Sequence, residues 1–350
     1  MVFHSRYGIE MKNLWPVTSV KKRIASYVDS VVDGRLAQLK MSSQEDGQAG
    51  VNQEQLDNVY RLLYGLVHDL DPKINIASTQ TEHAFGKQWE TLKEGRYLLS
   101  DPWFKENVSR IITEQEIQIK PEWFEGKKIL DAGCGNGRWA YGLAQLGADL
   151  TVVDVNAEAL REAQAALCEL NENVRYIQCP LEEIDTHLRE EKFDLVWSWG
   201  VLHHCGNFLK AFKNLTQLVA HDGLMFVYLY GRETLPYSVD INLFKERLKY
   251  NFLESAFDQT AFLLEKAGGD CKQIHNQHDI YAPLINRRFL WNDVESLFKD
   301  HGFDQVDRTV DHTEIWARAL KGNWKQFHEN WFLPKRQPPY WFQDHPDDHK

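Results

Sequence analysis

The stretch that decides the fold is Lys128-Ile129-Leu130-Asp131-Ala132-Gly133-Cys134-Gly135-Asn136-Gly137-Arg138. It joins the end of an apolar strand to a turn with three glycines, and a helical pattern through Trp139, Leu143 and Leu146 follows. Glycine is needed where φ is positive or where a side chain would collide with a ligand, and the N-terminus of the following helix attracts an anionic group. The stretch therefore predicts a strand–loop–helix unit whose backbone touches a ligand.

Asp154 is a second anchor of the same predicted site. It follows the next apolar strand, residues 150–153, and a carboxylate at a strand end can accept hydrogen bonds from both hydroxyls of a ribose. A nicotinamide dinucleotide is excluded as the ligand, because the GxGxxG pattern would need a glycine where Arg138 stands. Asp131 beside the loop repels a pyrophosphate and favours a cation. We therefore expect a positively charged nucleoside.

Short apolar runs separated by helical stretches begin after Lys127, a pattern typical of a parallel sheet wrapped by helices. This predicts an α/β fold. A helix over residues 291–300 and a closing hairpin-like pair, 305–310 with 314–320, complete it. The five predicted strands of the parallel part lie in residues 129–130, 150–153, 174–177, 193–197 and 224–230.

The same patterns divide the chain into five parts. A helical N-terminal lid is predicted on the three- and four-residue spacing of Leu56, Val59, Leu62, Leu63 and Leu66. Within it, 41–50 is predicted to be a polar loop and the basic run Lys21 to Arg23 a solvated helix end. The predicted parts are the lid (1–120), the ligand-binding core (121–231), a helical insertion over the acceptor site (232–290), the end of the core sheet (291–320) and an aromatic-rich tail (321–350).

Composition narrows the class of protein and of partner. The 350 residues are 43% hydrophobic and 12% aromatic, enough to build a large core. The net charge of −11 argues against binding to nucleic acid or an anionic membrane. No apolar run is long enough for a membrane helix. The lack of such a run, and of the apolar stretch of a secretory signal in residues 1–10, predicts a cytoplasmic protein. The five cysteines contain no pair at two-residue spacing, so we expect reduced thiols and no structural metal.

Three segments carry a family resemblance. ILDAGCGNGR (129–138), TVVDVN (151–156) and FDLVWSWGVLHH (193–204) resemble successive motifs of the class I S-adenosylmethionine-dependent methyltransferases. The segments FGKQW (85–89) and YAPLINRRFLWNDVESLFKDHGF (281–303) are similar to flanking regions of a bacterial small-molecule subgroup. The resemblance, which covers about residues 85–320, implies a doubly wound, seven-stranded, mostly parallel Rossmann-like sheet and S-adenosylmethionine as cofactor.

The resemblance also assigns cofactor-binding residues. The methionyl portion is expected at the glycine loop, on Asp131, Gly133, Cys134, Gly135 and Gly137, and the ribose at Asp154 and Val155. The sulfonium would supply the expected positive charge. An aspartate that usually touches the adenine is replaced by Pro180, which leaves the Leu181 N–H to meet the ring. Glu182 and Glu183 are alternatives, or solvated residues of a first helical turn.

The predicted reaction edge is the end of the fourth strand, because ligands of open α/β sheets lie beyond the carboxyl ends of the strands. Methyl transfer to a hydroxyl needs alignment and a proton acceptor. His203 or His204 is the candidate base; the alternative is a histidine that orients the loop through a backbone carbonyl. A metal at His203, His204 and Cys205 is disfavoured, since three adjacent residues do not converge on one ion.

The acceptor side is less defined by the sequence. Trp199 is predicted to lie against the cofactor and Tyr230 to face the acceptor, although both suit a core. Tyr281 and Arg287, with Arg288, are further candidates for the acceptor pocket, and an arginine would suit an acidic acceptor. We expect a methyltransferase acting on a small molecule, with oxygen the first choice of acceptor atom before nitrogen or carbon. The alternatives are an RNA or protein methyltransferase and a catalytically silent cofactor-binding paralogue.

The tail is the last feature. Gln337-Pro338-Pro339-Tyr340 resembles the (Asp/Asn)-Pro-Pro-Tyr motif of nucleic-acid amino-methylating enzymes, but it follows the last strand instead of the fourth and carries glutamine. We do not assign it that role. The aromatic tail residues are predicted to fold back over the domain or to bury themselves in a second copy of the chain as a homodimer. They are Trp324, Trp331, Phe332, Tyr340, Trp341 and Phe342.

Overall fold

A computed structural model describes residues 29, 33, 77–93, 95, 97–170, 173–232, 237–253, 255–336 and 344–346. The predicted lid helix at residues 56–66, the basic run at 21–23, the polar loop at 41–50 and the tail segment 337–342 lie outside the described residues. Within the described part, no helix has the length and apolarity needed to cross a membrane.

The core is one seven-stranded sheet in the order β3-β2-β1-β4-β5-β7-β6. Strands β1 to β5 pair in parallel, and β7 pairs antiparallel with both β5 and β6. The predicted fold and all seven predicted strands are confirmed. The strands are β1 (Lys128–Ala132), β2 (Asp149–Asp154), β3 (Arg175–Gln178), β4 (Phe193–Trp199), β5 (Val219–Leu229), β6 (Gln305–Arg308) and β7 (Ile315–Leu320).

Helices cover both faces of the sheet, because successive residues of a strand point to opposite sides. In β1, Ile129 packs into one hydrophobic core and Leu130 into the other. The described helices are α1 (Ala77–Thr91), α2 (Pro102–Ile111), α3 (Arg138–Gln145), α4 (Ala157–Leu167), α5 (Asp185–Leu188), α6 (Phe208–Leu218), α7 (Tyr237–Asn251), α8 (Ala256–Lys266), α9 (Ile274–Tyr281), α10 (Trp291–Asp300) and α11 (Trp324–Trp331). Helices α2, α3 and α4 contribute to the first core, and α6 and α10 to the second.

Helices α7, α8 and α9 are inserted between β5 and α10 and join α1. A small core that includes Ala84 of α1 and Phe262 of α8 holds them together. Polar contacts add to it: the Gln80 amide donates to Asn251 at 2.6 Å, and the Gln88 amide donates to Asp279 at 2.7 Å. Helix α1 and the insertion therefore form one structural unit at the carboxyl ends of the parallel strands.

The first part of the tail folds back onto the sheet domain. Phe332 is buried, and the Arg318 guanidinium lies 3.7 Å from the centre of its ring. The Lys120 N–H donates to the Trp331 carbonyl at 2.9 Å, and the Leu333 N–H donates to the Gln118 carbonyl at 2.9 Å. The tail thus extends the packing of the segment that precedes β1.

Candidate active site

A cleft of about 1120 Å³, counted to its open mouth, lies at the carboxyl ends of the parallel strands. The wall comes from α1, the glycine loop, the segments that follow β2, β3, β4 and β5, and α9. The lining includes Thr81, Phe85, Trp89, Gly133, Cys134, Gly135, Arg138, Asp154, Val155, Pro180, Leu181, Glu182, Trp199, Val201, His204, Cys205, Tyr230, His275 and Asp279.

The glycine loop adopts the left-handed backbone that its sequence predicts. The φ angles are 86° at Gly133, 52° at Gly135 and 81° at Gly137. A Cβ atom would collide with Val201 at Gly133, would lie 2.8 Å from Trp89 at Gly135 and 2.9 Å from Ala163 at Gly137. Gly133 and Gly135 line the cleft, whereas Gly137 lies behind it against α4. The glycines are therefore required by backbone conformation and by close packing of the loop against its neighbours.

Asp154 lines the cleft at the end of β2 with both carboxylate oxygens fixed. One oxygen accepts from the Gly135 N–H at 2.9 Å, and the other accepts from the Asn156 N–H at 2.8 Å. Burial raises the pKa of Asp154, and these backbone donors oppose that shift. Because each carboxylate oxygen can accept more than one hydrogen bond, Asp154 can still receive two ribose hydroxyls.

Asp131 lies beneath the loop and does not line the cleft. Its side chain is 1% exposed, and its Oδ2 atom has no hydrogen-bond partner in the described part of the chain. Burial, together with the charge of Asp154, raises the pKa of Asp131 to about 8. A backbone hydrogen bond from Ala140 and the charge of Arg138 oppose this shift. A buried carboxyl with one unpartnered oxygen fits a cationic ligand, since a nearby positive charge stabilises its ionised form.

The segment after β3 forms the opposite wall. Pro180 precedes a short 3-10 turn, Leu181–Glu183. Backbone N–H groups at the start of such a turn have no partner within it, so the Leu181 N–H at the cleft wall suits the adenine contact predicted for it. Glu182 also lines the cleft, where its carboxylate accepts from the Asn207 N–H at 3.0 Å. Glu183 is exposed.

His204 faces the cleft with a defined tautomer. Its Nδ1 atom lies 2.6 Å from the Ile285 carbonyl oxygen. A carbonyl only accepts, so Nδ1 carries the proton and Nε2 keeps a free lone pair. Burial lowers the pKa of His204 to about 3. The ring therefore stays neutral near pH 7, with an acceptor nitrogen in the cleft.

His203 points elsewhere. It is fully buried, does not line the cleft, and stacks on the Tyr230 ring at a centroid distance of 4.0 Å. Neither ring nitrogen has a hydrogen-bond partner among the described residues, and burial holds its pKa well below the ordinary value. The structure thus separates the two candidate bases: one histidine faces the cleft, and the other supports Tyr230 from behind.

The residues predicted for the acceptor are only partly brought together. Tyr230 lines the cleft, but Tyr281 and Arg287 do not. Tyr281 packs edge-on against Phe262 at 5.6 Å, within the insertion. The Arg287 guanidinium donates to the carbonyls of Cys205 and Gly206, so it fastens the loop that carries the histidines. Arg288 pairs with Glu314 at 3.3 Å.

Trp199 lines the cleft at the end of β4, and its ring is fixed on two sides; its contact with the cofactor stays a prediction. Its indole N–H donates to the Glu116 carboxylate at 2.7 Å, and one ring face stacks on Tyr228 at 4.2 Å. Glu116 is fully buried and ends a π-helical turn, Ile112–Glu116, and such turns are frequent at functional sites. Sequence reasoning did not identify Glu116, since the turn has no recognisable sequence signal.

Other lining residues were also missed. The sequence pattern marks Arg138 only as the residue that replaces a glycine of the GxGxxG pattern. Asp279 lies in the polar insertion, where no motif marks it. The FGKQW segment was the one available signal for α1, and it places Phe85 and Trp89 on the wall.

Comparison with known proteins shows the family of the chain. Residues 129–223 match the family model of a methyltransferase domain. The ubiquinone biosynthesis O-methyltransferase of Haemophilus ducreyi is 30% identical over 188 residues, which are 51% of this chain and 79% of that protein. The enzyme of the same name from Glaesserella parasuis is 34% identical over 190 residues, again 51% of this chain and 79% of that protein.

The chain belongs to the class I S-adenosylmethionine-dependent methyltransferases, which confirms the predicted family, enzyme class and cofactor. Among solved structures it is similar to magnesium protoporphyrin IX methyltransferase from Synechocystis PCC 6803, at 14% identity and a TM-score of 0.37 over 86% of this chain and 97% of that one.

Proposed function

We propose that this methyltransferase transfers a methyl group to a hydroxyl oxygen of a small organic acceptor bound in the cleft. The relatives named as ubiquinone biosynthesis O-methyltransferases support oxygen as the acceptor atom. The cleft supports a small acceptor, because α1 and α9 both contribute to its wall. We further propose that α1, as part of the 1–120 lid, and the 232–290 insertion cover the acceptor. The predicted cytoplasmic location and homodimer stay predictions.

The cofactor supplies an electrophilic methyl group on a sulfonium. The chain's own residues hold and orient it: the glycine loop for the methionyl portion, with the charge of Asp131 behind the loop, Asp154 and Val155 for the ribose, and Leu181 for the adenine. Trp199 and Trp89 contribute aromatic walls that exclude water. Because the reaction is an in-line displacement, alignment of donor and acceptor supplies much of the acceleration.

The observation that carries the proposal is the fixed tautomer of His204. Its Nδ1–H is committed to the Ile285 carbonyl, so the Nε2 lone pair can accept a hydrogen bond from the acceptor's hydroxyl and take its proton. The lowered pKa keeps this nitrogen unprotonated well below pH 6.5. Tyr230, beside it in the cleft wall, orients the acceptor.

The acceptor can be identified directly. Purified protein is incubated with methyl-labelled S-adenosylmethionine and a metabolite extract, and the labelled products are analysed by mass spectrometry. We expect a methyl ether of a small molecule. A labelled product methylated only on nitrogen or carbon would contradict the choice of oxygen, and labelled RNA or protein in place of a metabolite would contradict the small acceptor.

The role of His204 is tested by His204→Asn on the acceptor so identified. We expect kcat/KM to fall by at most about 10²-fold, the low end of the contribution of a positioned general base, because a nitrogen with a pKa of about 3 is a weak base; S-adenosylhomocysteine binding should be unchanged. In the wild type, kcat/KM should show no acid limb near pH 6.5 from this residue, because its pKa is about 3. His221→Asn, at an exposed position, is the matched control. Equal turnover of both variants over the whole pH range would refute the assignment.

A further inference from the structure

Arg138 lines the cleft but has no role in the proposed methyl transfer. It is the one lysine or arginine among the described residues that line the cleft. The same wall contains the carboxylates of Glu82, Asp154, Glu182 and Asp279. Because the other charged side chains of the wall are acidic, the cleft as a whole does not attract anions, and an anionic group would be bound specifically at Arg138.

The guanidinium of Arg138 is held in place by rings. It lies 4.7 Å from the centre of the Trp199 ring and 5.5 Å from the centre of the Trp139 ring. Stacking of this kind orients the planar group without using its N–H donors. Trp199 is itself fixed by Glu116, so the position of the guanidinium is set by a rigid surface.

Most of its hydrogen-bonding capacity is free. The Nη1 atom donates to the Tyr97 carbonyl at 3.3 Å, and no carboxylate of the described residues forms an ion pair with Arg138 within 4.0 Å. Asp279 and Glu116 are near enough to favour its charged form, while burial lowers its pKa. An arginine in a protein stays protonated, so the cleft holds a desolvated cation with several unused donors.

A planar guanidinium with free donors binds a carboxylate through two parallel hydrogen bonds. We propose that Arg138 is the carboxylate-binding residue of the cleft and receives a ligand carboxylate on the surface formed by Trp199 and Trp139. Two ligands can supply this group: the aminoacyl end of the cofactor, or an acidic acceptor. The second source rests on the proposed function, whereas the first does not.

The test measures binding, so it does not depend on turnover. Isothermal titration calorimetry compares S-adenosylhomocysteine with 5′-methylthioadenosine, which has the same nucleoside but lacks the aminoacyl carboxylate. A second pair, 3,4-dihydroxybenzoate and catechol, is titrated into protein saturated with S-adenosylhomocysteine. The variants are Arg138→Met, which keeps the apolar stem, and Arg138→Lys, which keeps the charge. Arg110→Met, at a surface position with a half-exposed side chain, is the matched control, and circular dichroism checks the fold of each variant.

The outcomes separate the two sources. If the cofactor supplies the carboxylate, Arg138→Met loses about 10- to 100-fold in affinity for S-adenosylhomocysteine and none for 5′-methylthioadenosine, as expected for hydrogen bonds to a charged group. If the acceptor supplies it, that loss appears for dihydroxybenzoate and not for catechol. Arg138→Lys should retain part of the affinity in either case. An equal change within both pairs, or no change in either, overturns the proposal. Neither result bears on His204, so failure here is distinct from failure of the proposed O-methylation.

Discussion

The buried carboxyl of Asp131 has a pKa of about 8 and is mostly protonated at pH 7 in the free protein. A sulfonium in the cleft should favour the ionised form, because an opposite charge nearby lowers the pKa of a carboxyl. Binding of S-adenosylmethionine at pH 7 should therefore release close to one proton from this residue. The release is measured by calorimetry in buffers of different ionisation enthalpy.

Asp131→Asn should abolish this proton release and weaken binding of S-adenosylmethionine by about tenfold or more, since one pKa unit corresponds to about 1.4 kcal/mol. Asp194→Asn is the matched control, because Asp194 accepts from the Lys128 N–H at the opposite end of β1. Undiminished proton release in Asp131→Asn would show that another group titrates on binding.

For single residues, the sequence predicts a role where chain position determines it and leaves the role open where side-chain direction determines it. The roles expected of Asp154 and Gly135 follow from their positions at the end of β2 and in the turn after β1, and the structure places both in the cleft. The choice between His203 and His204 does not follow from position, because adjacent residues in a 3-10 turn, Leu202–His204, point in different directions.

At the scale of elements, the junction of the glycine loop with α3 and α4 sets the shape of the cleft. Gly137→Ala would put a methyl group 2.9 Å from the Ala163 backbone at a φ of 81°. The left-handed backbone costs roughly 1–2 kcal/mol and the overpacking roughly 1–3 kcal/mol. We expect the free energy of unfolding to fall by about 2–5 kcal/mol in urea denaturation.

Gly302→Ala separates these two costs. Gly302 has a φ of 84°, but a Cβ there would meet no atom within 4 Å. The control should therefore lose only about 1–2 kcal/mol, the backbone contribution. Equal losses in the two variants would mean that α4 moves away freely and that the packing of α3 against α4 is not constrained.

Elements were predicted well where their pattern is local. The strands were found because apolar runs bounded by polar turns mark buried strands. The start of β5 was placed five residues too late, since His221 and Asp222 are exposed within the strand. The contacts between α1 and α9 could not be predicted, because they join residues that are distant in the chain.

At the scale of the whole molecule, three buried histidines link stability to pH. Burial lowers the pKa of His203, His204 and His278. Each stays neutral in the folded chain, while its unfolded counterpart binds a proton below about pH 6.5. Their contribution to stability is therefore complete above pH 6.5 and is lost as the pH falls toward their folded pKa values.

His278 allows a clean measurement, because it lies in the insertion, 6.0 Å from the Tyr250 ring, and does not line the cleft. Between pH 7.5 and 5.5 the wild type should lose about 1.4 kcal/mol of free energy of unfolding through His278. His278→Gln lacks the titrating group, so the difference in free energy of unfolding between variant and wild type should shift by that amount in favour of the variant. His221→Gln, at an exposed position, should show no such change. A difference that is independent of pH would contradict the assignment of a low pKa to His278.

The sequence by itself determined the strands of the sheet, the glycine loop, the position of Asp154 at a strand end and, through a family resemblance, the class of enzyme. These depend on local rules: positive φ at Gly133, Gly135 and Gly137, apolar runs in strands, and a short motif at a strand end.

The tertiary structure alone decided which side chains face the cleft. His204 is oriented by the Ile285 carbonyl, 81 residues away, and Arg138, at the start of α3, is stacked on Trp199 at the end of β4. Tyr281 instead packs within the insertion, and Arg287 instead holds the loop that carries the histidines. The physical reason is that the direction of a side chain is set by long-range packing and hydrogen bonding, for which no local pattern exists.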